Sequence, residues 1–530
     1  MKKLIPIVLL FVLSFGFYKL NESLILDSKL LDANNISTVF RNNGSFNRNS
    51  TSGNSGFEWP KGSGKTAKYA SGIWLGAKVG MDTLVAIAEY DYEYVSGYTN
   101  NSGLPQGQTD PLYRIYRLSY GINDADRMNW PNALLGNSNQ GAPVYFDSSA
   151  NAWKPLDFGW QTMYYLYTDS DTSAHQSTAG STRPLKADIK QTNFSSNFFG
   201  HLANVTFSEW KIINRSTQVW NDFYICYWTD DDLGDAVDDK VGCDSLLRMG
   251  YTYNATNNDP VYGAAPPAVG TIFLRGAKVF TNNTNDTFKY CKNKTLQTEI
   301  RYKDLGMPIF NWFENSSDPL NGGPSSYYET YRYLKGLRRN GSNMINPFGN
   351  YITKLHYSGD PVTGTGWNQT QQNDQRYMMS TGPITMNPGD TQTIVFAQVI
   401  ARGTSNLNSI TVLRQAAVEV WNYYKTCYTT IPLGINNTNT EIPTSYKLEQ
   451  NYPNPFNPMT NVKFQIPNSG FVQLKIFNLL GQEVATLVNE KLQPGTYKVD
   501  WDATNYPSGV YYYKLVATDY TETKKMVLIK

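Results

Sequence analysis

The most concentrated chemical signal in the sequence is a run of aspartates, DDDLGDAVDD, at residues 230–239. Carboxylates packed this closely repel one another, and partial burial makes that repulsion more costly. A hard cation removes the cost, and calcium accepts roughly six to eight oxygen ligands from a flexible loop. We therefore predict one calcium ion at this loop. Its expected ligands are Asp230, Asp232, Asp235, Asp238 and Asp239.

The spacing excludes an EF-hand, because counting from Asp230 places Asp235 at the sixth position, where that loop requires glycine. A solvated acidic loop and a catalytic metal site are the alternatives to calcium. Calcium is favoured because every candidate ligand is a hard oxygen. The expected role of the ion is structural, since it would hold the loop that leaves a strand predicted at residues 223–228.

A second acidic group alternates with tyrosines in the segment EYDYEY at residues 89–94. In a strand the acids would share one face, with alternate residues about 6.5 Å apart. That separation is close to the spacing of glycosidase carboxylates, but such pairs usually come from different strands whose environments separate their acidities. The pattern therefore favours a strand with one solvated acidic face and one packed aromatic face.

Other catalytic motifs are weak. The three histidines, His175, His201 and His356, lack the spacing of zinc ligands. The segment GSGKT at residues 62–66 has Trp59 where a phosphate-binding loop needs glycine, so it predicts an exposed turn. The sequence contains no GxSxG nucleophile motif. We assign no catalytic residue and no cofactor except calcium, although a triad assembled from distant segments is not excluded.

The elements that must position these residues are mostly strands. Runs of β-branched and aromatic residues, separated by turn residues, predict a mainly β, multi-domain β-sandwich body with few helices. The strands are expected at residues 73–79, 83–95, 161–168, 204–213, 222–228, 271–280 and 391–401. Residues 34–55 are rich in Asn, Ser and Gly, and predict a loop.

The best helix signal lies at residues 409–424, with Asn408 or Ser409 as its cap. Spacing of three and four residues places its apolar side chains on one stripe. That stripe consists of Ile410, Leu413, Ala417, Val420 and Tyr424. We expect this stripe to pack on the body.

The C-terminal residues 446–530 have a different pattern, in which short runs alternate with a period of two and turn residues separate the runs. Such regular short strands predict a small antiparallel sandwich. The alternating sets are Val462, Phe464 and Ile466; Val472, Leu474 and Ile476; and Tyr497, Val499 and Trp501.

This segment resembles the type A C-terminal sorting domain of type IX secretion cargo in Bacteroidetes and related phyla. The matching stretches are residues 451–458, 481–487, 494–495, 508–511 and 524–530. The resemblance implies an immunoglobulin-like β-sandwich, handling by the type IX secretion machinery, and export through the periplasm to the cell surface or the extracellular space. It also implies that the domain is either removed by a peptidase or used for attachment.

The N-terminus begins with Lys2 and Lys3 and continues with an apolar run to residue 17, which predicts a signal peptide over residues 1–17. The run is shorter than the ~20 residues that a membrane span needs, although a short anchor is the alternative. The expected layout is then a body at 18–428 with length for two or more subdomains, a linker at 429–445, and the sorting domain at 446–530. We expect no integral membrane span after signal removal.

Low charge, with 17% charged residues and a net charge of +2, argues against a nucleic-acid partner. The four cysteines suit disulfides in an exported protein. Because Cys226 and Cys243 flank the acidic loop, we predict that they pair with each other, which leaves Cys291 to pair with Cys427.

Several blocks of the body, among them FEWPKGSGK at residues 57–65 and WLGAK at residues 74–78, resemble recurring blocks of large secreted proteins that carry this sorting domain. That resemblance implies an exported architecture without an established activity. We expect a structural, adhesive or binding protein, whose partners would be a surface assembly of its own copies or a glycan. The alternative is a secreted polysaccharide-active enzyme similar to glycoside hydrolases, which would need two carboxylates from different strands in one aromatic-lined cleft.

Overall fold

The computed structural model describes residues 24–49, 52–90, 92–198, 200–429, 436–439, 443–468, 470–492, 494–504, 506–518 and 520–530. The predicted signal peptide and most of the predicted linker lie outside the described residues. The described part of the body is a sandwich of two large antiparallel sheets, which we call the front sheet and the back sheet.

The front sheet has ten strands. In spatial order, eight of them are Ile309–Glu314, Gln375–Met386, Trp220–Asp230, Ala70–Val79, Ser45–Phe46, Ser37–Arg41, Phe57–Glu58 and Thr66–Lys68. Two more strands pair with interior members of this order, Ser28–Leu31 with Ser37–Arg41 and Asp82–Ile87 with Ala70–Val79.

The back sheet has nine strands. In spatial order, eight of them are Tyr116–Ser119, Gln161–Thr168, Ala187–Ser195, Val205–Asn214, Thr391–Ala401, Ala268–Arg275, Met249–Asn254 and Asp239–Asp244. The ninth strand, Val95–Ser96, pairs with Gln161–Thr168. Since both sheets take strands from the beginning, middle and end of the body, the segments interleave in one sandwich.

Six two-stranded hairpins project from the sandwich in the described chain. They are Tyr98–Thr99 with Pro105–Gln106, Val144–Asp147 with Ala152–Pro155, Asn258–Asp259 with Gly263–Ala264, Lys278–Phe280 with Tyr302–Asp304, Thr287–Lys292 with Thr295–Ile300, and Met344–Asn346 with Tyr351–Thr353. The α-helices of the described chain are Ala125–Met128, Tyr327–Leu334 and Asn406–Lys425. Short 3-10 turns occur at Pro111–Tyr113, Ala133–Leu135, Thr172–Ala174, Gly200–Asn204 and Ala236–Asp238.

Aromatic rings fill the space between the two sheets. Trp210 of the back sheet packs on Phe396 with ring centroids 4.5 Å apart, and Tyr227 of the front sheet lies 5.1 Å from the same ring. Contacts of this kind add stability beyond the area that the rings bury. The central front strand, Trp220–Asp230, therefore has one face fixed by the sandwich core.

The opposite face of that strand is also buried. Trp228 stacks against Trp74 at 6.1 Å, and the helix Tyr327–Leu334 covers this outer apolar layer. Burial on both faces explains why residues 223–228 form a continuous apolar run in the sequence rather than an alternating one. The long helix Asn406–Lys425 plays the same covering role on the outer face of the back sheet.

The predicted stripe of the long helix is buried as expected. The helix begins earlier than predicted, because Ser405 is its cap and accepts a hydrogen bond from the Asn408 amide at 3.0 Å. Neither predicted cap residue has that role. Ser409 instead lies inside the first turn, where its hydroxyl donates to the Pro266 carbonyl at 2.7 Å.

The prediction of a loop at residues 34–55 is in part wrong, since this segment contains the strands Ser37–Arg41 and Ser45–Phe46. Four of its asparagines, Asn34, Asn42, Asn43 and Asn47, are buried rather than solvated. The buried Asn47 amide donates to Gln398 at 2.6 Å and to Ser71 at 2.8 Å. Hydrogen bonds between the sheets thus satisfy polar groups that composition alone assigns to solvent.

The C-terminal residues form a separate sandwich of two four-stranded sheets, as the alternation predicted. One sheet has the order Asn436–Asn439, Gly495–Asp502, Met459–Ile466 and Lys447–Leu448. The other has the order Glu483–Leu492, Gly470–Phe477, Gly509–Ala517 and Tyr520–Leu528. All nine predicted inward residues of this module are buried.

One of the two predicted disulfides is present. Cys291 and Cys427 form a disulfide that joins residues 136 positions apart. The predicted pair of Cys226 and Cys243 is wrong, because both are free and fully buried. Cys226 lies in the front sheet and Cys243 in the back sheet, so nearness in sequence to the acidic loop does not bring them together.

These positions predict a specific thiol count. In the oxidised folded protein, neither free cysteine should react with a thiol reagent, since both are buried and burial raises the pKa of Cys226 to about 12. Titration with Ellman's reagent should detect two thiols in denaturant and four after reduction. Four thiols in unreduced, denatured protein would contradict the disulfide, and none would mean that the buried pair is also oxidised.

Candidate functional site

The acidic segment lies where three neighbouring strands of the front sheet meet. Asp230 is the last residue of the central strand, and the backbone pairing places it opposite Ala70 on one side and Arg376 on the other. Asp230 directly follows the apolar run of residues 223–228, so the packing of that run also fixes the position of Asp230. The candidate site is thus tied to the core of the sandwich.

Asp230 is almost fully buried and makes polar contacts on one side only. Its Oδ2 accepts hydrogen bonds from the Tyr90 hydroxyl at 2.6 Å and from Arg376 Nη2 at 3.0 Å. Its Oδ1 is buried without a hydrogen-bond partner among the described residues. Burial raises the pKa of Asp230 to about 6, against the opposing effect of Arg376.

Three carboxylates converge here. Asp230, Asp232 and Asp374 each offer an oxygen, and these oxygens lie within 4.8 Å of one another. Arg376 is the cation of the group, and its Nη1 donates to Asp374 at 2.6 Å. Burial, and then the neighbouring Asp230 and Asp374, raises the pKa of Asp232 to about 8. One guanidinium does not balance three ionised carboxylates, so the group is stabilised either by a proton, as the raised pKa of Asp232 indicates, or by a further cation.

Asp231 points the other way, into the sandwich, and forms a buried ion pair with Lys68. The Lys68 Nζ lies 2.6 Å from Asp231 Oδ1, and both side chains are at most 1% exposed. The same oxygen accepts from the Thr229 hydroxyl at 2.6 Å, and the other accepts from Thr252 at 3.1 Å. Asp231 is therefore a core residue, and it adds no charge to the cluster outside.

The second half of the acidic segment is arranged around Asp259, which sequence reasoning did not single out. Gly234 turns the chain with a φ of +82°, and a β-carbon there would lie 2.3 Å from an Asp259 oxygen. Asp235 donates its amide to Asp259 at 3.0 Å, and Asp238 accepts from the Asn254 amide at 2.6 Å. Glycine is required at this turn because a side chain would strike the carboxylate.

Asp239 is buried between these two groups. One carboxylate oxygen accepts the Leu233 amide at 2.9 Å, whereas Oδ1 has no hydrogen-bond partner in the described chain. Burial raises the pKa of Asp239 well above its usual range. Two of the five predicted ligands, Asp230 and Asp232, thus lie together with Asp374. The other three, Asp235, Asp238 and Asp239, lie outside that group.

The residues that sequence reasoning missed come from distant segments. Asp374 and Arg376 precede or begin the strand Gln375–Met386, and Tyr90 follows the strand Asp82–Ile87. Only the antiparallel pairing of Asp230 with Arg376 brings them to the aspartate run. Asp374 and Arg376 form a charged pair at the start of a strand, which is a sequence pattern that could have pointed to the site. Its partner strand and register cannot be read from the sequence.

The prediction for residues 89–94 is wrong in the part that the structure describes. The strand ends at Ile87, and Glu93 is buried, where it accepts hydrogen bonds from the Ser181 and Ile87 amides at 2.7 and 3.2 Å. Asp91 lies outside the described residues. Glu93 belongs to no solvated acidic face, because it is buried and satisfies the backbone donors of Ser181 and Ile87. His175 Nδ1 lies 3.7 Å from Glu93, and no group of metal ligands in the described chain includes a histidine.

Four cavities formed by the described residues do not supply the carboxylate pair that a glycoside hydrolase needs. Four cavities of about 350 to 580 Å³ lie on the described surface, and each is lined by at most one carboxylate side chain. Those carboxylates are Glu209, Asp222 and Asp188, each in a different cavity. These four cavities therefore give no support to the predicted alternative of a glycoside hydrolase-like enzyme.

Comparisons with known proteins identify the C-terminal module. Residues 450–530 match the family described as the secretion system C-terminal sorting domain, which confirms the resemblance to type IX secretion cargo. The protein is therefore exported through the periplasm to the cell surface or the extracellular space. None of the helices formed by the described residues combines the length and apolar character needed to cross a membrane.

A search of curated proteins found no match. One solved structure, a polysaccharide lyase, aligns at 8% identity and a TM-score of 0.25, over 95% of this chain and 46% of the lyase. This chain thus spans about half the length of that structure, and a TM-score this low carries no argument about activity.

The buried ion pair gives a test of how the acidic segment is held. Lys68→Met should lower the free energy of unfolding by about 3–5 kcal/mol, because Asp231 would remain buried without its cation. Urea unfolding measures this change. The matched control is Lys154→Met, which removes an exposed lysine paired with Asp147 on a surface hairpin and should have no measurable effect. Equal stability of the two variants would contradict the structural role of the buried pair.

Proposed function

We propose that this protein is a calcium-stabilised, non-catalytic component of the cell surface or extracellular space, with a structural, adhesive or binding role. The observation that carries the proposal is the convergence of Asp230, Asp232 and Asp374 around a single arginine. The sorting domain accounts for delivery. A cation bound by the acidic group would stabilise the large sandwich after export.

The case for a cation rests on the charges and the free oxygens. Asp230 Oδ1 is buried and has no hydrogen-bond partner among the described residues. Calcium fits better than magnesium, since it accepts irregular oxygen sets at about 2.3–2.6 Å while magnesium demands a near-octahedral shell. Backbone carbonyls and water would complete the coordination.

The ligand set proposed now differs from the five aspartates predicted from the sequence. Asp230 and Asp232 keep their assigned role, and Asp374 joins them from a neighbouring strand. Asp235 and Asp238 have hydrogen-bonding roles around Asp259 and Asn254. An ion at the revised position would link the end of the strand Trp220–Asp230 to the start of its neighbour in the sheet, Gln375–Met386. That role is structural rather than catalytic.

Thermal unfolding tests the cation. Calcium at a hundredfold excess over its dissociation constant should stabilise the folded protein by about 2.7 kcal/mol, and chelation should remove that gain. The double variant Asp232→Asn with Asp374→Asn should lose the calcium response. The control Asp235→Asn with Asp238→Asn should keep it, which separates the revised ligand set from the original one. Identical melting curves in calcium and chelator would mean that the acidic group is protonated or solvated instead.

Delivery is tested by removing the C-terminal module. Deleting residues 446–530 should leave the protein in the periplasm of its host, because the secretion machinery would lack its recognition element. Cell fractionation and immunoblotting measure the distribution. In the complementary experiment, residues 446–530 fused to a periplasmic reporter should direct that reporter out of the cell. Normal amounts of the truncated protein in the medium would refute the role of the domain in this chain.

A further inference from the structure

The outer face of the back sheet carries a second polar site, which we call the basic cleft. It has a volume of about 350 Å³, is floored by Lys190, Glu209, Lys211 and Arg275, and lies beside the C-terminal end of the long helix. Small-molecule sites usually measure about 300–1,000 Å³. The cleft is far in the fold from the acidic group, which lies at one end of the front sheet.

The floor of the basic cleft has an excess of positive charge. Strand pairing places Lys190 directly opposite Lys211, an arrangement of like charges that destabilises a sheet. Within the described chain, no ion pair joins either lysine or Arg275 to a carboxylate. Burial, and then the proximity of Lys211, lowers the pKa of Lys190 to about 8. A bound anion would relieve this repulsion.

Arg275 is positioned as a recognition residue. A bulge after Phe273 brings it opposite Val395, and its guanidinium lies 4.9 and 4.8 Å from the ring centres of Phe288 and Tyr290. The side chain is 9% exposed, and its Nε is buried without a hydrogen-bond partner among the described residues. A guanidinium held near two rings, with an Nε donor that no described group occupies, suits a carboxylate.

The walls of the cleft are aromatic. Tyr164, Tyr424 and Tyr428 line it together with Phe158, and the Tyr424 hydroxyl is buried without a hydrogen-bond partner in the described chain. Rings of this kind pack against the C–H face of a sugar. Glu209 is the one carboxylate of the cleft, and it offers acceptors for hydroxyl groups beside the basic donors.

We infer that the basic cleft binds a carboxylated saccharide, such as a uronic acid unit of an extracellular polysaccharide. The basic side chains, including the Arg275 guanidinium, select the carboxylate, while Glu209 and the tyrosines select the ring and its hydroxyls. This inference specifies a ligand for the binding role within the proposed function, and it does not depend on calcium. The calcium experiment reads thermal stability and the following one reads saccharide binding, so either proposal can fail alone.

Isothermal titration calorimetry of the full chain tests the cleft with two probes, trigalacturonate and neutral maltotriose. Trigalacturonate should bind, and maltotriose should bind at least tenfold more weakly. Lys211→Gln should weaken trigalacturonate binding about tenfold, the usual scale for one charge-assisted hydrogen bond. Lys211 is exposed, so this variant should fold normally. Arg275→Lys, which keeps the charge but loses the fork, should also weaken binding.

The matched control is Lys514→Gln, which removes an exposed lysine from a central strand of the sorting domain and should bind like the unaltered protein. Failure of trigalacturonate to bind at millimolar concentration would overturn the inference. Equal affinity for the neutral trisaccharide would also overturn it, as would unchanged binding by Lys211→Gln in a chain that melts normally.

Discussion

The structure depends on the register of one strand, Trp220–Asp230, between its two neighbours in the front sheet. Tyr227 faces the aromatic layer between the sheets, and Trp228 faces the outer layer under a helix. A slip of one residue would exchange these two faces, so the packing of both layers fixes the register. The same register sets Asp230 opposite Arg376, and the geometry of the acidic group is therefore a consequence of how the core packs.

Charge at this end of the sandwich is divided according to which side of the strand it lies on. Asp231 enters the core, where Lys68 neutralises it and two threonine hydroxyls complete its hydrogen bonds. Asp230 and Asp232 remain on the other side, where Arg376 is shared with Asp374. Burial without compensation is the costly state for a carboxylate, and this difference separates a structural aspartate from a candidate ligand in the same tripeptide.

Sequence patterns predicted what depends on local periodicity. The strands Gln161–Thr168 and Thr391–Ala401 have the bounds that were predicted, and the nine inward residues of the C-terminal module are buried as expected. What failed depends on partners distant in the chain. Asn47 is buried because Gln398 bonds to it, Glu93 is buried because a loop supplies amides, and Cys226 lies in a different sheet from Cys243. Composition and spacing contain no information about such pairings.

The basic cleft contains charged side chains on a sheet face that is otherwise covered by apolar groups. On the strand Val205–Asn214, Phe207 is covered by the long helix, while Glu209 and Lys211 continue the same outer face beyond it. A face with no ligand would be either covered by apolar groups or fully solvated. Here Lys190 and Arg275 are partly or fully buried without an ion pair among the described residues, while Lys211 stays exposed; the buried charges lower stability unless something else supplies the missing contacts. A bound anionic ligand would supply the missing partner for the basic side chains of the cleft.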